Sequence, residues 1–401
     1  MRDRLLIPVL GLGQIVAFAS SYYLLGVMAD PIARGLKTSP AQLFTALSAA
    51  LLLSAVLTPF AGRAITRFGG RLIQALAHVA FATALLVMAC APRAPVVWLG
   101  ILLLGVGMGT GLYSTAFTIV VEQRGSLARR GITAVSLLGA LGGGLGWPIS
   151  RALVSHWDWR LACLVWVMAH LLICLPLTLG CLPRRPSAPA DTVRRGRPEW
   201  DRRMLQLAGV FAGAWMVATA MGAHLPRLLA ALGMTPATAA WAAGLMAASA
   251  IAARLFDLIV MHRAHPLATV RLACLLHPLG AAVAILGGPL AAPAVAIGQG
   301  AGNGLLAVAS GVLPLEVFGP DRYAERQALL LTPARFLQAL APAAYALALD
   351  ASAVAALCLS GAVCLGMLAL TFGLQKRESG GPVRGGNATG AEGRELTDKV
   401  A

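Results

Sequence analysis

The sequence predicts an all-α polytopic membrane protein, with twelve transmembrane helices in two pseudo-symmetric bundles of six. Three observations carry this expectation. Of the 401 residues, 58% are hydrophobic and only 12% charged, whereas soluble domains carry about 25% charged residues. The apolar residues fall into runs of roughly 18–25, the length a helix needs to cross about 30 Å of hydrocarbon. Several local patterns of the first half also return in the second at a nearly constant offset. A soluble fold would have too little polar surface to cover this apolar mass, whereas in lipid apolar side chains can face the solvent.

The first apolar run covers 5–28. Its basic start, apolar stretch and Ala17-Phe18-Ala19 match the pattern of a cleavable signal. The run continues through Tyr22, Leu24 and Val27 to Met28, so it reads as an uncleaved span. Further spans are expected at 43–61, 72–91, 96–121, 132–154 and 161–182, completing a bundle over 1–182. A linker rich in Pro and Arg covers 183–203. Spans at 204–226, 237–258, 270–288, 293–316, 327–348 and 353–374 form a second bundle over 204–374. The Gly- and charge-rich tail, 375–401, reads as disordered, and the glycosylation sequon at Asn387 within it reads as chance.

Charge sets the orientation. The net charge is +16, but the basic residues sit in short clusters between apolar runs. No compact basic domain with interleaved aromatics exists, which excludes a nucleic-acid partner. With twelve spans, 25 of the 32 Lys and Arg fall in loops and tails on the side of the termini, and 5 on the other. This bias places both termini in the cytoplasm. Arg151 and Arg335 lie inside spans. The seven cysteines show no paired or metal-ligand spacing and read as small hydrophobes.

The internal repeat is specific. Gly109-Thr110-Gly111-Leu112 recurs as Gly302-Asn303-Gly304-Leu305 at offset 193, and Glu122 as Glu316 at 194. Arg130 recurs as Arg326 at 196, Pro148 as Pro342 at 194, and Arg63-Ala64-Ile65-Thr66 as Arg254-Leu255-Phe256-Asp257 at 191. Parallel six-span repeats are a transporter arrangement, with the substrate site between the halves.

On these residues the chain resembles the major facilitator superfamily, and bacterial members in particular, over essentially all twelve spans. The loop after span 2, Gly62-Arg63-Ala64-Ile65-Thr66-Arg67-Phe68-Gly69-Gly70-Arg71, is similar to the family's signature loop. Thr66 stands where the family has an acid that helps latch the cytoplasmic gate, and Asp257 occupies the equivalent place in the second half. Gly139 through Gly146 with Trp147-Pro148 is similar to the Gly/Pro-rich fifth span. The basic residue expected early in span 4 is missing. The resemblance implies a bacterial inner-membrane carrier, working as a monomer by alternating access, with spans 1, 4, 7 and 10 around a central site. Gly62, Arg63, Arg67, Gly70, Arg71, Glu122, Arg130, Arg254, Asp257, Glu316 and Arg326 are then the expected gating residues, and Glu122 and Glu316 are expected to pair with nearby arginines.

Arg335 is the most informative single residue. A charge near mid-membrane costs at least about 2.5–3.5 kcal/mol on insertion scales, so it must face a cavity or a partner. It reads either as an anchor for an anionic substrate, through its fork of donors, or as a structural lock. Gln338 shares its face. Gln14, Tyr22, Tyr113, Gln299 and Asn303 complete the expected substrate-binding set. The stripes of Ser21, Thr110, Ser114, Thr118 and Ser310 read as helix–helix glue. His78, His170 and His277 read as packing residues, and His224 as a weak gate candidate. No carboxylate is expected at mid-depth, which argues against simple proton coupling. The expected partners are a small-molecule substrate, with a coupling proton left open, and lipid. No cofactor is expected. A carrier of small organic anions is the leading expectation, with efflux of amphipathic drugs as the alternative and a non-transporting receptor as a remote one. An intramembrane enzyme would need paired acids, a Ser/His pair or a metal cluster at one depth, which the sequence does not display.

Overall fold

The computed structural model describes residues 2–183 and 200–374. The remaining linker residues, 184–199, and the tail with Asn387 lie outside the described residues. Among the described residues there is no strand. The chain order is α1 (Arg2–Ala19), α2 (Leu25–Leu36), α3 (Pro40–Phe68), α4 (Gly70–Ala89), α5 (Ala94–Gly111), α6 (Tyr113–Arg124), α7 (Arg129–His156), α8 (Trp159–Met168) and α9 (Leu175–Cys181) in the first half. The second half holds α10 (Arg202–Ala231), α11 (Pro236–Ile259), α12 (Pro266–Ala291), α13 (Pro293–Phe318), α14 (Tyr323–Ala351) and α15 (Ala353–Phe372). Nine helical segments among the described residues are long and apolar enough to cross a membrane, one of them taking in α5 to α7 together. Large side chains such as Leu286, Leu290 and Trp241 stand on the outside, as lipid permits. The protein is a multi-pass membrane protein.

Three expected spans are not single regular helices. Span 1 breaks at residues 20–24 between α1 and α2, where Ser20 and Ser21 hydroxyls donate back to the Val16 and Ala17 carbonyls. Span 4 breaks between α5 and α6, with Leu112 in extended backbone. Span 6 widens into a π turn over Ala169–Cys174 between α8 and α9. Apolar length cannot report such breaks, because each stays inside an apolar run. The signature segment is also corrected: Gly62–Phe68 form the last turns of α3 rather than a loop. Gly69, at φ 85°, ends that helix, a backbone region that favours glycine.

The repeat is visible in the packing. Within each half, α3 packs on α5 and α11 on α13. Between the halves, α3 packs on α14 and α7 on α11, the same contact made twice because α3 corresponds to α11 and α7 to α14. Small residues allow the approach: a Cβ at Gly62 would stand 2.8 Å from both the Ala324 carbonyl oxygen and Ala328 Cβ. In membranes such close packing, rather than water exclusion, holds helices together.

Candidate functional site

Between the halves lies a cavity of about 250 Å³. The break in span 1 builds one wall. It turns Tyr22 and Tyr23 inward beside Phe18, and the Trp147 indole N–H donates to the Tyr23 carbonyl at 3.0 Å, which also accepts from the Gly26 N–H. Tyr113 opens α6, its ring 4.6 Å from that of Phe18 and its hydroxyl donating to the Ser136 carbonyl at 3.0 Å. From the second half, α10 contributes Trp215, α11 contributes Met246 and Arg254, α13 contributes Asn303 and Ser310, and α14 contributes Gln327, Arg335 and Gln338.

Arg335 is half-buried in this wall. Its Nη1 donates to Ser54 Oγ on α3 at 3.2 Å, while its Nε is enclosed without a hydrogen-bond partner. The Tyr22 side chain approaches Arg335, Gln338 and Thr219. Arg254 donates to Ser136 Oγ at 3.2 Å and to the Ala250 carbonyl at 3.1 Å. Neither guanidinium belongs to any of the four ion pairs found among the described residues. Among the described residues the cavity wall contains these two arginines and no carboxylate. Buried donors without partners are costly, so the site is built to receive acceptors.

Of the expected substrate-binding residues, Tyr22, Tyr113, Asn303, Arg335 and Gln338 line this cavity. Gln14 is fully buried away from the wall, its amide donating at 2.9 Å to the Gly111 carbonyl freed by the α5–α6 break. Gln299 lines a second, water-sized cavity in the second half, beside His277 and Asn303. Six aromatic rings enclose the main cavity, but only Tyr22 and Tyr113 stand in the expected set. Tryptophans scattered through apolar runs look alike in sequence. Arg254, expected as a gating residue, is part of the wall. Of the glue stripe, Thr110 and Thr118 donate to carbonyls of their own segments, whereas Ser114 and Ser310 also line the cavity.

The other residues expected to gate collect on the face that carries the arginine-rich loops. Asp257, only 1% exposed, accepts from Thr133 Oγ1 at 3.0 Å across the halves and lies 3.8 Å from Arg129 Nη2. Arg129 also donates to the Met261 carbonyl at 2.8 Å and to the Ala264 carbonyl, and Arg130 meets His262 Nε2 at 2.7 Å. Thr66 donates to the Gly62 carbonyl of its own helix at 3.1 Å, whereas its counterpart Asp257 is hydrogen-bonded across the halves. Arg63 and Arg67 stack over Phe60 and Phe68, and half-buried Arg71 follows Gly70, itself packed against Ile119 and near Glu122. Arg326 caps the Phe318 and Asp321 carbonyls at 3.1 Å. Glu316 lies 3.5 Å from His265, and its charge also acts on the Arg129 guanidinium of the first half. His224 is held by the Pro342 carbonyl at 2.9 Å and stacks on Tyr345.

The model of the Major Facilitator Superfamily matches residues 10–298, and the chain belongs to that superfamily. Its fold is similar to that of the human organic anion transporter MFSD10 (TETRAN), at TM-score 0.71 and 17% identity, covering 92% of this chain and 99% of that one. It is also similar to the E. coli fucose:proton symporter FucP, at TM-score 0.70 and 13% identity over 92% and 99%. FucP in its outward conformation gives TM-score 0.67 at 12% identity, with the same coverage. No curated protein sequence matches the chain. The family and the fold indicate a transporter rather than an enzyme.

Proposed function

We propose that the protein is a secondary carrier for a small organic anion with an apolar body, working by alternating access. The observation that carries this reading is the cavity wall: two guanidinium groups outside any ion pair, no carboxylate, and six aromatic rings. Arg335 offers the anion a fork of donors, Gln338 and Tyr22 bind beside it, Asn303 and Tyr113 face it, and the rings take the apolar part. That MFSD10 transports organic anions agrees with this reading, and FucP leaves a coupled proton open. Gln14 and Gln299 act indirectly, by holding helices that bear the wall.

The contacts of Arg129, Thr133 and Asp257 close the arginine-rich face, and their breaking opens it. The charge bias orients this face toward the cytoplasm of a bacterial inner membrane, with both termini on that side and the carrier acting as a monomer. The aromatic rings also support a second reading, export of amphipathic drugs.

A thermal-shift screen of the purified protein with organic acids, sugars and cationic drugs decides between these. A ligand that binds only the folded state raises its apparent stability. Stabilisation by a carboxylate, lost in a folded Arg335→Ala variant, is the expected result. Stabilisation by cations alone, unchanged in that variant, overturns the anion reading.

A further inference from the structure

The interior of the first half holds a side-chain cluster for which the carrier reading has no use. His78 on α4, with His170 and Cys174 on the π turn, are all buried, and one ligand atom from each lies within 4.8 Å of the others. His78 is 92 residues from His170 in sequence, and only the fold brings it to the turn. The widened turn sets His170 and Cys174 on one face, and π turns of this kind recur at functional sites.

Hydrogen-bond accounting defines the tautomers. Ser20 Oγ donates to the Val16 carbonyl at 2.7 Å, so toward His170 Nε2, at 2.8 Å, it accepts. His170 therefore carries its proton on Nε2 and turns the Nδ1 lone pair toward His78 Nδ1, 3.1 Å away. His78 meets only the Gln74 amide nitrogen on its other side, at a long 3.5 Å, while Gln74 Oε1 is buried with no hydrogen-bond partner. In this tautomer His78 donates its Nδ1 proton to His170 Nδ1. A cation between the two Nδ1 atoms sends that proton to His78 Nε2. There a turned Gln74 amide accepts it through Oε1 and gives up its bond to the Gly111 carbonyl, which Gln14 still holds.

We propose that His78 Nδ1, His170 Nδ1 and Cys174 Sγ bind one monovalent copper ion. Two nitrogens bound at about 2.0 Å to one ion sit about 3.3–3.5 Å apart, so the rings need open by only a few tenths of an ångström. Thiolate and imidazole are the ligands that soft metals select. Cys174 enters as the thiolate, releasing its proton to solvent, and one negative charge with Cu(I) makes a neutral centre. A neutral centre suits an apolar interior, where an uncompensated charge is costly. Zinc would leave a net positive charge and lack the fourth ligand its structural sites require. Ser20 and Gln74 supply the outer hydrogen bonds that orient ligating histidines. The ion links α4 to the π turn. Through Ser20 it also reaches the span 1 break that carries Tyr22 and Tyr23 into the cavity.

The test uses the full chain in detergent, reduced and without oxygen, titrated with Cu(I) against bicinchoninate as a coloured competitor. One Cu(I) per chain is expected to leave the chelator for the native protein and for Cys163→Ser, which removes a buried thiol outside the cluster. Outer partners of metal ligands are worth about 10–100-fold in affinity. Gln74→Ala and Ser20→Ala should weaken binding by that factor, and His170→Ala and Cys174→Ser by about 100-fold or more. X-ray absorption at the copper edge should show two nitrogens and one sulfur. If the native chain takes no more Cu(I) than Cys174→Ser, or holds zinc in preference to copper, the assignment is wrong. If the ligand variants do not fold, Gln74→Ala and Ser20→Ala still decide it. The anion reading stands or falls separately, because its screen needs no metal.

Discussion

Arg335 illustrates how a single residue can be read from its cost. A guanidinium inside an apolar run has to be compensated, and the structure offers one hydrogen bond, to Ser54, together with an aromatic cavity. If it anchors a carboxylate, Arg335→Lys should keep the charge and lose the fork. Anion affinity should then fall by about tenfold or more, equivalent to about 1.4 kcal/mol. Arg335→Ala should abolish saturable uptake in proteoliposomes, and equal uptake by all three proteins would exclude the role. Asp257 is the second such residue. Asp257→Asn keeps the shape but weakens the contacts with Arg129 and Thr133, at about 1–3 kcal/mol. Hydrogen exchange should then quicken at the amides where α7 begins and α11 ends, since local opening sets that rate. Unchanged exchange there would show that Asp257 is no latch. Arg335 was legible because charge in an apolar run is rare, and Asp257 through the repeat. Trp147 and Trp215 were not, because an aromatic residue in a membrane helix fits the lipid side equally well.

At the scale of the helix, glycine spacing carried more than hydropathy. Gly105 on α5 lies against the Ala50 carbonyl of α3, and Gly304 on α13 lies against the Ala250 carbonyl of α11, so closely that neither site has room for a Cβ. The two contacts join corresponding helix pairs, α3 with α5 and α11 with α13. Gly304→Val should force α13 from α11 and cost about 1–3 kcal/mol, lowering the melting temperature in detergent. Gly144, exposed and with nothing within 4 Å of its ideal Cβ, is the matched control. Gly144→Ala should be neutral or mildly stabilising, given the poor helix propensity of glycine. A Gly304→Val protein as stable as the native one would show that α11 and α13 can slide apart freely. The repeat, however, does not extend to the breaks. Span 4 is interrupted at Leu112, while its counterpart α13 runs unbroken from Pro293 to Phe318. The difference follows from tertiary partners: Gln14 and Gln74 both donate to the Gly111 carbonyl that the break exposes.

In the whole molecule, two repeat-related contacts, α3 on α14 and α7 on α11, join the halves. The hydrogen bonds of Arg129, Arg130 and Thr133 add a clasp on the arginine-rich face. Carbonyls, the His262 ring nitrogen and a single buried acid supply the acceptors, so opening the clasp breaks only one charged contact. This suits a carrier whose two states must lie within a few kcal/mol of each other. A transported anion should bias that balance only through differential affinity. Substrate should therefore change exchange at the clasp in the native protein and leave it unchanged in Arg335→Ala.

The sequence by itself determined the membrane solvent, the helical class, the twofold repeat and the orientation expected from charge. Each of these is a one-dimensional property: run length, composition, offset, or the placement of arginines. The tertiary structure decided which face of each helix meets the cavity, where the helices break, and that His78, His170 and Cys174 share one interior. Lipid is as apolar as most side chains, so hydropathy does not mark the buried face of a membrane helix as it does in water. Helix rotation is settled by small-residue packing and by buried hydrogen bonds between distant segments, and those exist only once the chain has folded.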